Sequence, residues 1–392
     1  MKHVIAVNLV LVPAWWFIGC TSEAATPLSR TLPSPAAVAD PPRVPATAPP
    51  SPGVVRSSTV WSDGGIAGVR VRTEHYNLHL ALKDPTFRDM LPAYMEACHF
   101  AYATVLGELP IPNDQLELYI FSSRSPWEEW TKNTLGKDAD IYLGLGRGGF
   151  TADGVSVLYD LGRVDTLTIA AHEGWHQFSQ KSLKHPLPTY LEEGLACWME
   201  GTRLSRDGVP MAFKPWKNFE RWTELRNAFR DENLISLGEL LETSPQLCLQ
   251  KGKNSLLTYY AQCWALIHFL HDGEQGKYRP SLLRLMKDAA EGKLAAKLAG
   301  SRAIANPILR KKAVQSRTGN GVMLEYFNPD FSALKGEYDR FVVEVCKRGA
   351  GDRIFRGESP LTAAAADSKP LVTQPPAAQP PAMQPPATQP PK

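Results

Sequence analysis

The chain has 392 residues, and its 43 Lys and Arg against 40 Asp and Glu give a formal net charge of +3. This length suffices for one large domain or two ordinary ones with a substantial core. The nearly balanced charge, without any basic run, argues against a nucleic-acid-binding protein. The six cysteines are too few for a disulfide-stapled scaffold and include no C-x-x-C pair.

The N-terminus carries the pattern of an export signal. Residues 1–20 have a short basic start and an apolar run of signal-peptide length, shorter than the about 20 apolar residues of a membrane-spanning helix. The run ends in F-I-G-C at 17–20, which resembles the lipobox of bacterial lipoproteins, and by that resemblance Cys20 becomes the lipidated first residue of an exported, membrane-anchored protein of the cell envelope. The alternative is ordinary secretion with cleavage near residues 24–25.

Proline is concentrated in the two flanks of the chain. Residues 21–60 hold nine of the 33 prolines, and residues 369–392 hold another nine. Both flanks have too few large apolar residues to offset the entropy of ordering the chain. We therefore predict a disordered Pro/Ala-rich linker over 21–60 and a disordered Pro/Gln-rich tail over 361–392, with the folded domain at 61–360.

Between the flanks, hydrophobic periodicity predicts strands and helices first and helices alone later. Apolar alternation or β-rich runs predict strands at 69–82, 116–121 and 155–160. Apolar spacing of three and four residues predicts helices at 85–109, 126–135, 218–230, 255–272, 280–298 and 331–347. The glycine-rich stretch 144–154 predicts a loop or hairpin, because no G-K-[ST] follows it. This order predicts an α+β fold with an all-helical second half.

A further predicted helix, beginning at Thr166 after the N-cap Asp165, carries the motif H-E-G-W-H. Its two histidines, His172 and His176, are four residues apart and therefore lie on one helix face about 6 Å apart. They can take two adjacent positions around one zinc ion. Glu173 lies close to such a metal but outside its ligands, which suits a general base for a water molecule that the metal makes acidic. The alternative is a solvated helix with two unrelated histidines.

A zinc site needs a third protein ligand and a position left open for water. Glu192 and Glu193 lie sixteen and seventeen residues beyond His176, at the start of another predicted helix that begins after Pro188 and ends at Gly201. Two antiparallel helices joined by a short loop can present a carboxylate to the histidines. The periodicity does not choose between the two glutamates.

These two motifs together resemble a known family. HEGWHQF followed by LPTYLEEGLACWMEG is similar to the gluzincin metallopeptidases, and among them to bacterial groups whose second motif reads W-L-x-E-G-L-A. The likeness covers about residues 165–201, with a weaker one at YYAQCWALIHFL (259–270). It implies a gluzincin-like fold over 61–360, in which a small mixed sheet precedes the zinc-site helices. It also implies one Zn²⁺ ion and Glu193 as the third ligand.

The resemblance extends to the groups around the metal. It implies that Tyr260 donates a hydrogen bond to the tetrahedral oxyanion, with Tyr259 and His268 as the other candidates. It also implies that the strand at 155–160 is the edge strand that aligns a peptide substrate by main-chain pairing. Many of these bacterial groups have no established substrate, so the likeness indicates a reaction class rather than a substrate.

One position departs from the family pattern. In gluzincins a carboxylate often follows the third ligand by four residues and orients a histidine ligand, and here Cys197 occupies that position. The loss of such support typically costs 10–100-fold in metal affinity or activity. Glu200 lies nearly on the same helix face, a further turn away. Cys197 itself could approach the metal, although a packed thiol is the simpler interpretation.

The sequence therefore predicts a zinc-dependent metallopeptidase that acts on a peptide or protein substrate. His172, His176 and Glu193 bind zinc, and Glu173 activates water for attack on the peptide carbonyl. One alternative is a non-catalytic cell-envelope binding module that retains the peptidase fold, which Cys197 and the Pro-rich flanks favour. Another is a zinc hydrolase with a different kind of substrate. The intact Glu173 favours an enzyme, because a binding module has no evident use for a base there.

Overall fold

The structure is a computed structural model that describes residues 55–144, 148–203 and 213–361. The predicted signal peptide with Cys20, most of the predicted linker and residues 362–392 of the predicted tail lie outside the described residues. The first strand begins at Ser57, four residues before the predicted start of the domain. Within the described ranges, every helix is too short or too polar to span a membrane.

Six strands form one mixed sheet in the order β1-β2-β3-β4-β6-β5. The strands are β1 (Ser57–Asp63), β2 (Ile66–Arg72), β3 (Tyr76–Leu80), β4 (Leu116–Phe121), β5 (Gly149–Ala152) and β6 (Val155–Tyr159). The central strands β3, β4 and β6 pair in parallel, whereas β1 with β2, β2 with β3, and β5 with β6 pair antiparallel. The predicted strand at 69–82 is in fact two strands, β2 and β3.

Helices lie between the parallel strands and, with their connecting loops, follow the sheet in the chain. They are α1 (Pro85–Thr104), α2 (Arg124–Leu135), α3 (Ala139–Leu143), α4 (Arg163–Ser182), α5 (Thr189–Met199), α6 (Phe219–Arg230), α7 (Leu237–Glu242), α8 (Pro245–Lys251), α9 (Lys253–Gly276), α10 (Arg279–Glu291), α11 (Leu294–Ala299), α12 (Pro307–Gln315), α13 (Gly321–Tyr326), α14 (Phe331–Cys346) and α15 (Ala350–Arg356). The predicted α+β class is confirmed, because the described strands all precede α4 and the described elements after it are helices.

The edge of the sheet is not where the sequence placed it. The prediction that 155–160 is an edge strand is wrong, because β6 pairs with β4 on one side and with β5 on the other. The glycine-rich stretch instead supplies the edge strand β5. Asp153 and Gly154 join β5 to β6 with φ values of 50° and 73°, and two positive φ angles are what a tight two-residue hairpin turn requires.

Both faces of the sheet are covered. Along β4 the side chains alternate, so that Leu118 and Ile120 face the main core while Tyr119 and Phe121 face a second, aromatic cluster with Trp127 of α2. On the main-core side, α4 packs against β5 and β6 and has α1 and α5 as its neighbours. The H-E-G-W-H motif thus lies on a helix that is fixed by the sheet and by two other helices.

Helix α4 begins three residues earlier than the sequence predicts. Gly162, with φ of 91°, is the N-cap residue in place of Asp165. The Asp160 carboxylate accepts the Gly162 N–H at 2.8 Å, and the Thr166 hydroxyl accepts the Leu161 N–H at 2.9 Å, so these two contacts close the turn after β6. Asp165 instead lies in the first turn, where a negative charge interacts favourably with the helix dipole.

Helix α5 packs closely on α9 at Gly194. A Cβ atom on Gly194 would lie 2.6 Å from the carbonyl oxygen of Cys263 and 2.8 Å from Cγ1 of Ile267. Only glycine allows this approach without a shift of the backbone. The contact fixes the separation of α5, which carries Glu193, from α9, which carries Tyr260.

We expect Gly194→Ala to lower the free energy of unfolding by about 1–3 kcal/mol, because the added methyl group meets backbone rather than a side chain that can move. Thermal unfolding of the purified domain measures the change. Gly336→Ala in α14 is the matched control, since its Cβ would meet a single atom at 3.7 Å, the end of the Arg340 side chain. The free energy of unfolding of that control should rise by up to about 1 kcal/mol, because alanine has the higher helix propensity. Equal losses in both variants would contradict a close α5–α9 contact at Gly194.

Candidate metal centre

Three side chains from α4 and α5 converge on one point. The Oε2 atom of Glu193 lies 3.6 Å from Nε2 of His172 and 3.5 Å from Nε2 of His176. The ligand atoms of all three residues lie within 4.8 Å of one another. The site is largely buried, with side-chain exposures of 12% for His172, 2% for His176 and 10% for Glu193. Glu193 is therefore the glutamate that faces the histidines.

This spacing fits a small tetrahedral cation. With bonds of 2.0–2.2 Å to nitrogen and oxygen, neighbouring ligand atoms of a tetrahedral site are about 3.3–3.6 Å apart. Both distances from Glu193 to the histidines meet this condition. Two imidazoles and a carboxylate also leave one position of a tetrahedron for water or substrate. The donor set is thus compatible with a metal ion.

Each histidine is held from behind by another carboxylate of the α5 segment. His172 makes a hydrogen bond from Nδ1 to Glu200 at 2.9 Å, and His176 makes one from Nδ1 to Glu192 at 3.1 Å. Such contacts fix the ring orientation through Nδ1, so that Nε2 is the atom of each ring that faces Glu193 and the candidate metal position. The two adjacent glutamates therefore have different roles, since Glu193 faces the metal position and Glu192 supports a ligand.

Glu200 supplies the support that the sequence appeared to lack at Cys197. Its carboxylate accepts hydrogen bonds from Arg221 at 2.7 Å and from Asn218 at 2.6 Å, in addition to the contact with His172. Glu200 is 2% exposed, and burial alone would raise its pKa. The positive charge of Arg221 and the hydrogen bond to His172 outweigh burial and lower the pKa of Glu200 to about 2, so it stays ionised.

A second group of potential ligands shares His172. It contains Cys197 and Glu200, and its ligand atoms also lie within 4.8 Å of one another. The charge of Glu200 is already balanced by Arg221, however, and burial raises the pKa of the Cys197 thiol. A metal in this group would need the Cys197 thiol deprotonated and would compete with Arg221 for Glu200. We therefore assign this second group to the support of His172.

The histidines are strongly basic in the absence of a metal. Burial alone would lower the pKa of His176, but the negative charge of Glu193 raises it to about 9. For His172, burial is likewise outweighed by hydrogen bonds to Cys197, Glu193 and Glu200, which raise the pKa well above its ordinary value. The same contacts hold the pKa of Glu193 well below the usual range despite its burial. A metal must therefore displace protons from the imidazoles.

We expect metal binding to strengthen as the pH rises from 6 to 9. Protonated His176 stabilises the metal-free fold fully below its unfolded pKa of about 6.5, and this contribution is lost as the pH rises through about 9. Metal affinity should rise by up to about tenfold per pH unit for each proton displaced. The difference in Tm between metal-loaded and metal-free protein should thus widen over this range. A difference that is constant with pH would contradict the assignment.

We expect Glu200→Gln to weaken metal affinity about 10- to 100-fold, because the neutral amide does not balance the charge of Arg221 and its NH2 group cannot accept the hydrogen bonds that Oε2 now accepts from Asn218 and Arg221. Competition with a chromophoric chelator measures the change. Glu128→Gln is the matched control, because Glu128 also pairs with an arginine, Arg124 at 2.7 Å, but at the surface. If the two variants bind metal equally well, Glu200 does not support the site.

The general-base candidate Glu173 follows His172 in α4 and is 8% exposed. One of its oxygens, Oε2, accepts a hydrogen bond from the Thr151 hydroxyl on β5 at 2.8 Å. The carboxylate is thus tied to the edge strand of the sheet rather than to either histidine. Glu173 is not one of the three residues whose ligand atoms converge.

Of the three candidates for the oxyanion donor, Tyr260 has its ring next to that of His172. Tyr259 and His268 make other contacts. The Tyr260 ring lies 6.0 Å from that of His172, and the Arg221 guanidinium lies 5.3 Å from the Tyr260 ring. Tyr259 is fully buried in the core. His268 lies eight residues, or about 12 Å, beyond Tyr260 along α9. Its ring is stacked on that of Trp216, with the ring centroids 3.6 Å apart, and it makes a hydrogen bond to Asp272.

Sequence reasoning missed several supporting residues. Glu200 carried a weak signal, since it follows Glu193 by seven residues and so lies two helical turns away on the same face. Thr151, Asn218 and Arg221 carried none, because they come from other elements and match no local pattern.

Comparisons with known proteins add no assignment. No model of a protein family matches this chain, and no curated protein matches it.

Proposed function

We propose that this protein is a zinc-dependent metallopeptidase with a gluzincin-like fold. The observation that carries the proposal is the convergence of His172, His176 and Glu193 at 3.5–3.6 Å, with a carboxylate behind each histidine. The nitrogen and carboxylate donors, in a site with three protein ligands, are those of catalytic zinc centres. A bound zinc ion supplies a Lewis acid that polarises the peptide carbonyl and makes water more acidic.

Glu173 then moves the protons of the reaction. It accepts one proton from the attacking water as the water oxygen bonds to the carbonyl carbon, and it gives this proton to the amide nitrogen as the C–N bond breaks. The second proton of the water leaves the new carboxyl group and passes to the free amine. One water molecule is consumed, and a carboxylate and an ammonium group are formed.

Tyr260 and β5 are the groups proposed to hold the substrate. The Tyr260 hydroxyl would donate a hydrogen bond to the developing oxyanion, for which its position next to His172 is suitable. Strand β5 is an edge of the sheet, and its Thr151 contacts Glu173 at 2.8 Å. An extended peptide added to this edge would therefore pass beside the base.

The binding-module alternative was favoured by two features, Cys197 in place of a supporting carboxylate and the Pro-rich flanks. Glu200 makes a supporting contact with His172 at 2.9 Å, which weakens the first of these reasons. Export and a lipid anchor at Cys20 remain proposals from the sequence alone, and they would assign the activity to the cell envelope. The remaining alternative is a zinc hydrolase that acts on another class of substrate. The Glu173→Gln and His176→Ala variants described below test it when they are assayed with other substrates.

We expect Glu173→Gln to abolish peptide hydrolysis and to keep about one zinc ion per chain, because the amide cannot accept the proton but the three ligands are intact. His176→Ala is the paired variant and should lose the zinc. Metal content by mass spectrometry and turnover of denatured protein, folded envelope proteins and peptidoglycan peptides are measured together.

Three results would refute the proposal. An unchanged rate in Glu173→Gln would exclude Glu173 as the base. Zinc that persists in His176→Ala would exclude the metal site. A wild-type protein that binds zinc but hydrolyses none of these substrates would favour the binding module.

A further inference from the structure

Two buried hydroxyl groups lie behind Glu173. Thr151 on β5 and Ser156 on β6 are paired across the hairpin, and both are fully buried. Their hydroxyl oxygens are 2.9 Å apart, and the Thr151 oxygen lies 2.8 Å from Oε2 of Glu173. Ser156 also lies 3.3 Å from the backbone oxygen of Glu173. A buried polar pair at this point is specific to the base, since no metal ligand touches it in the described structure.

The direction of the hydrogen bonds follows from counting protons. A base must be ionised to accept a proton, and an ionised carboxylate has none to donate. The Thr151 hydroxyl lies 2.8 Å from Oε2 of Glu173 and 3.0 Å from the backbone oxygen of Glu173. The contact with Oε2 is the shorter one and needs a proton that only Thr151 can supply, so this proton points to Oε2 and the Thr151 oxygen is left to accept from Ser156. Oε1 of Glu173 accepts no hydrogen bond within the described residues.

The β5–β6 hairpin is also hydrogen-bonded to α4, which fixes the position of Thr151 relative to Glu173. The side chain of Gln177, one turn beyond Glu173, donates to the carbonyl oxygens of Gly154 at 2.9 Å and of Glu117 at 2.7 Å. Gln180 accepts the Gly154 N–H at 2.7 Å. The β5–β6 turn is thus tied to the same helix that carries Glu173.

We propose that Thr151 is a positioning residue for Glu173, an inference that depends on the proposed peptidase function. The Thr151 hydroxyl, held by Ser156, binds Oε2 and leaves Oε1 as the oxygen that receives the proton from water. Thr151 can donate to Oε2 both before and after Oε1 is protonated, so the carboxylate keeps its orientation when it passes the proton to the leaving nitrogen. The edge strand thereby orients the base as well as lying beside the substrate position.

The test compares Thr151→Val with Thr151→Ser. Valine keeps nearly the same volume but has no hydroxyl, and kcat should fall roughly 10- to 100-fold with KM and zinc content unchanged. Serine keeps the hydroxyl and should restore most of the rate. Thr131→Val is the matched control, because Thr131 is also fully buried but its hydroxyl donates to the Trp127 carbonyl in α2 at 2.7 Å.

The outcomes separate this inference from the proposed function. If Thr151→Val keeps the wild-type kcat while Glu173→Gln is inactive, Thr151 does not position the base and the peptidase function stands. If the wild type hydrolyses no peptide, the function fails, and crystal structures decide the positioning. If the Glu173 carboxylate changes orientation in the Thr151→Val structure, the positioning role is supported. If it keeps its orientation, the positioning role is overturned. If Thr151→Val does not fold, Thr151→Ala beside Thr151→Ser makes the same comparison.

Discussion

The ion pair between Glu200 and Arg221 is the interaction on which the candidate centre depends. Glu200 is 2% exposed, and an isolated charge at such a depth would be too costly to keep ionised. Arg221 at 2.7 Å makes the charge tolerable, and the ionised carboxylate then orients His172. Removing one partner of a buried pair typically costs about 3–5 kcal/mol, so the fold and the metal ligand are linked through this contact.

The same principle applies around the rest of the site, where the other histidine and the candidate base each contact a buried polar group. Glu192 orients His176, and Thr151 orients Glu173. The partners come from four places in the fold: α5, its C-terminal end, α6 and the β5–β6 hairpin. A site of this kind is preorganised, because the supporting groups are fixed by packing before any ligand arrives.

The sequence predicted what is local and missed what is not. The i, i+4 spacing of His172 and His176 is a property of one helix, and it could be read directly. The choice between Glu192 and Glu193 depends on how α5 crosses α4, so periodicity could not make it, and the family resemblance did. Strand 155–160 was mistaken for an edge because that role was taken from the family resemblance and not from the residues themselves. A run apolar on both faces is in fact typical of an interior strand, whereas the true edge, β5, is only four residues long and glycine-rich.

The position of the metal ligands along the chain has a consequence for assembly. All three, with Glu192 and Glu200 behind them, lie within residues 172–200, on two helices joined by a short loop. Closing so short a loop has a small entropic cost, and contacts this local form early in folding. The base support from β5 and the charge partner from α6 are distant in sequence and depend on the complete fold. A partly folded chain that holds these two helices would therefore bring the candidate ligands together before the complete fold supplies Thr151 and Arg221.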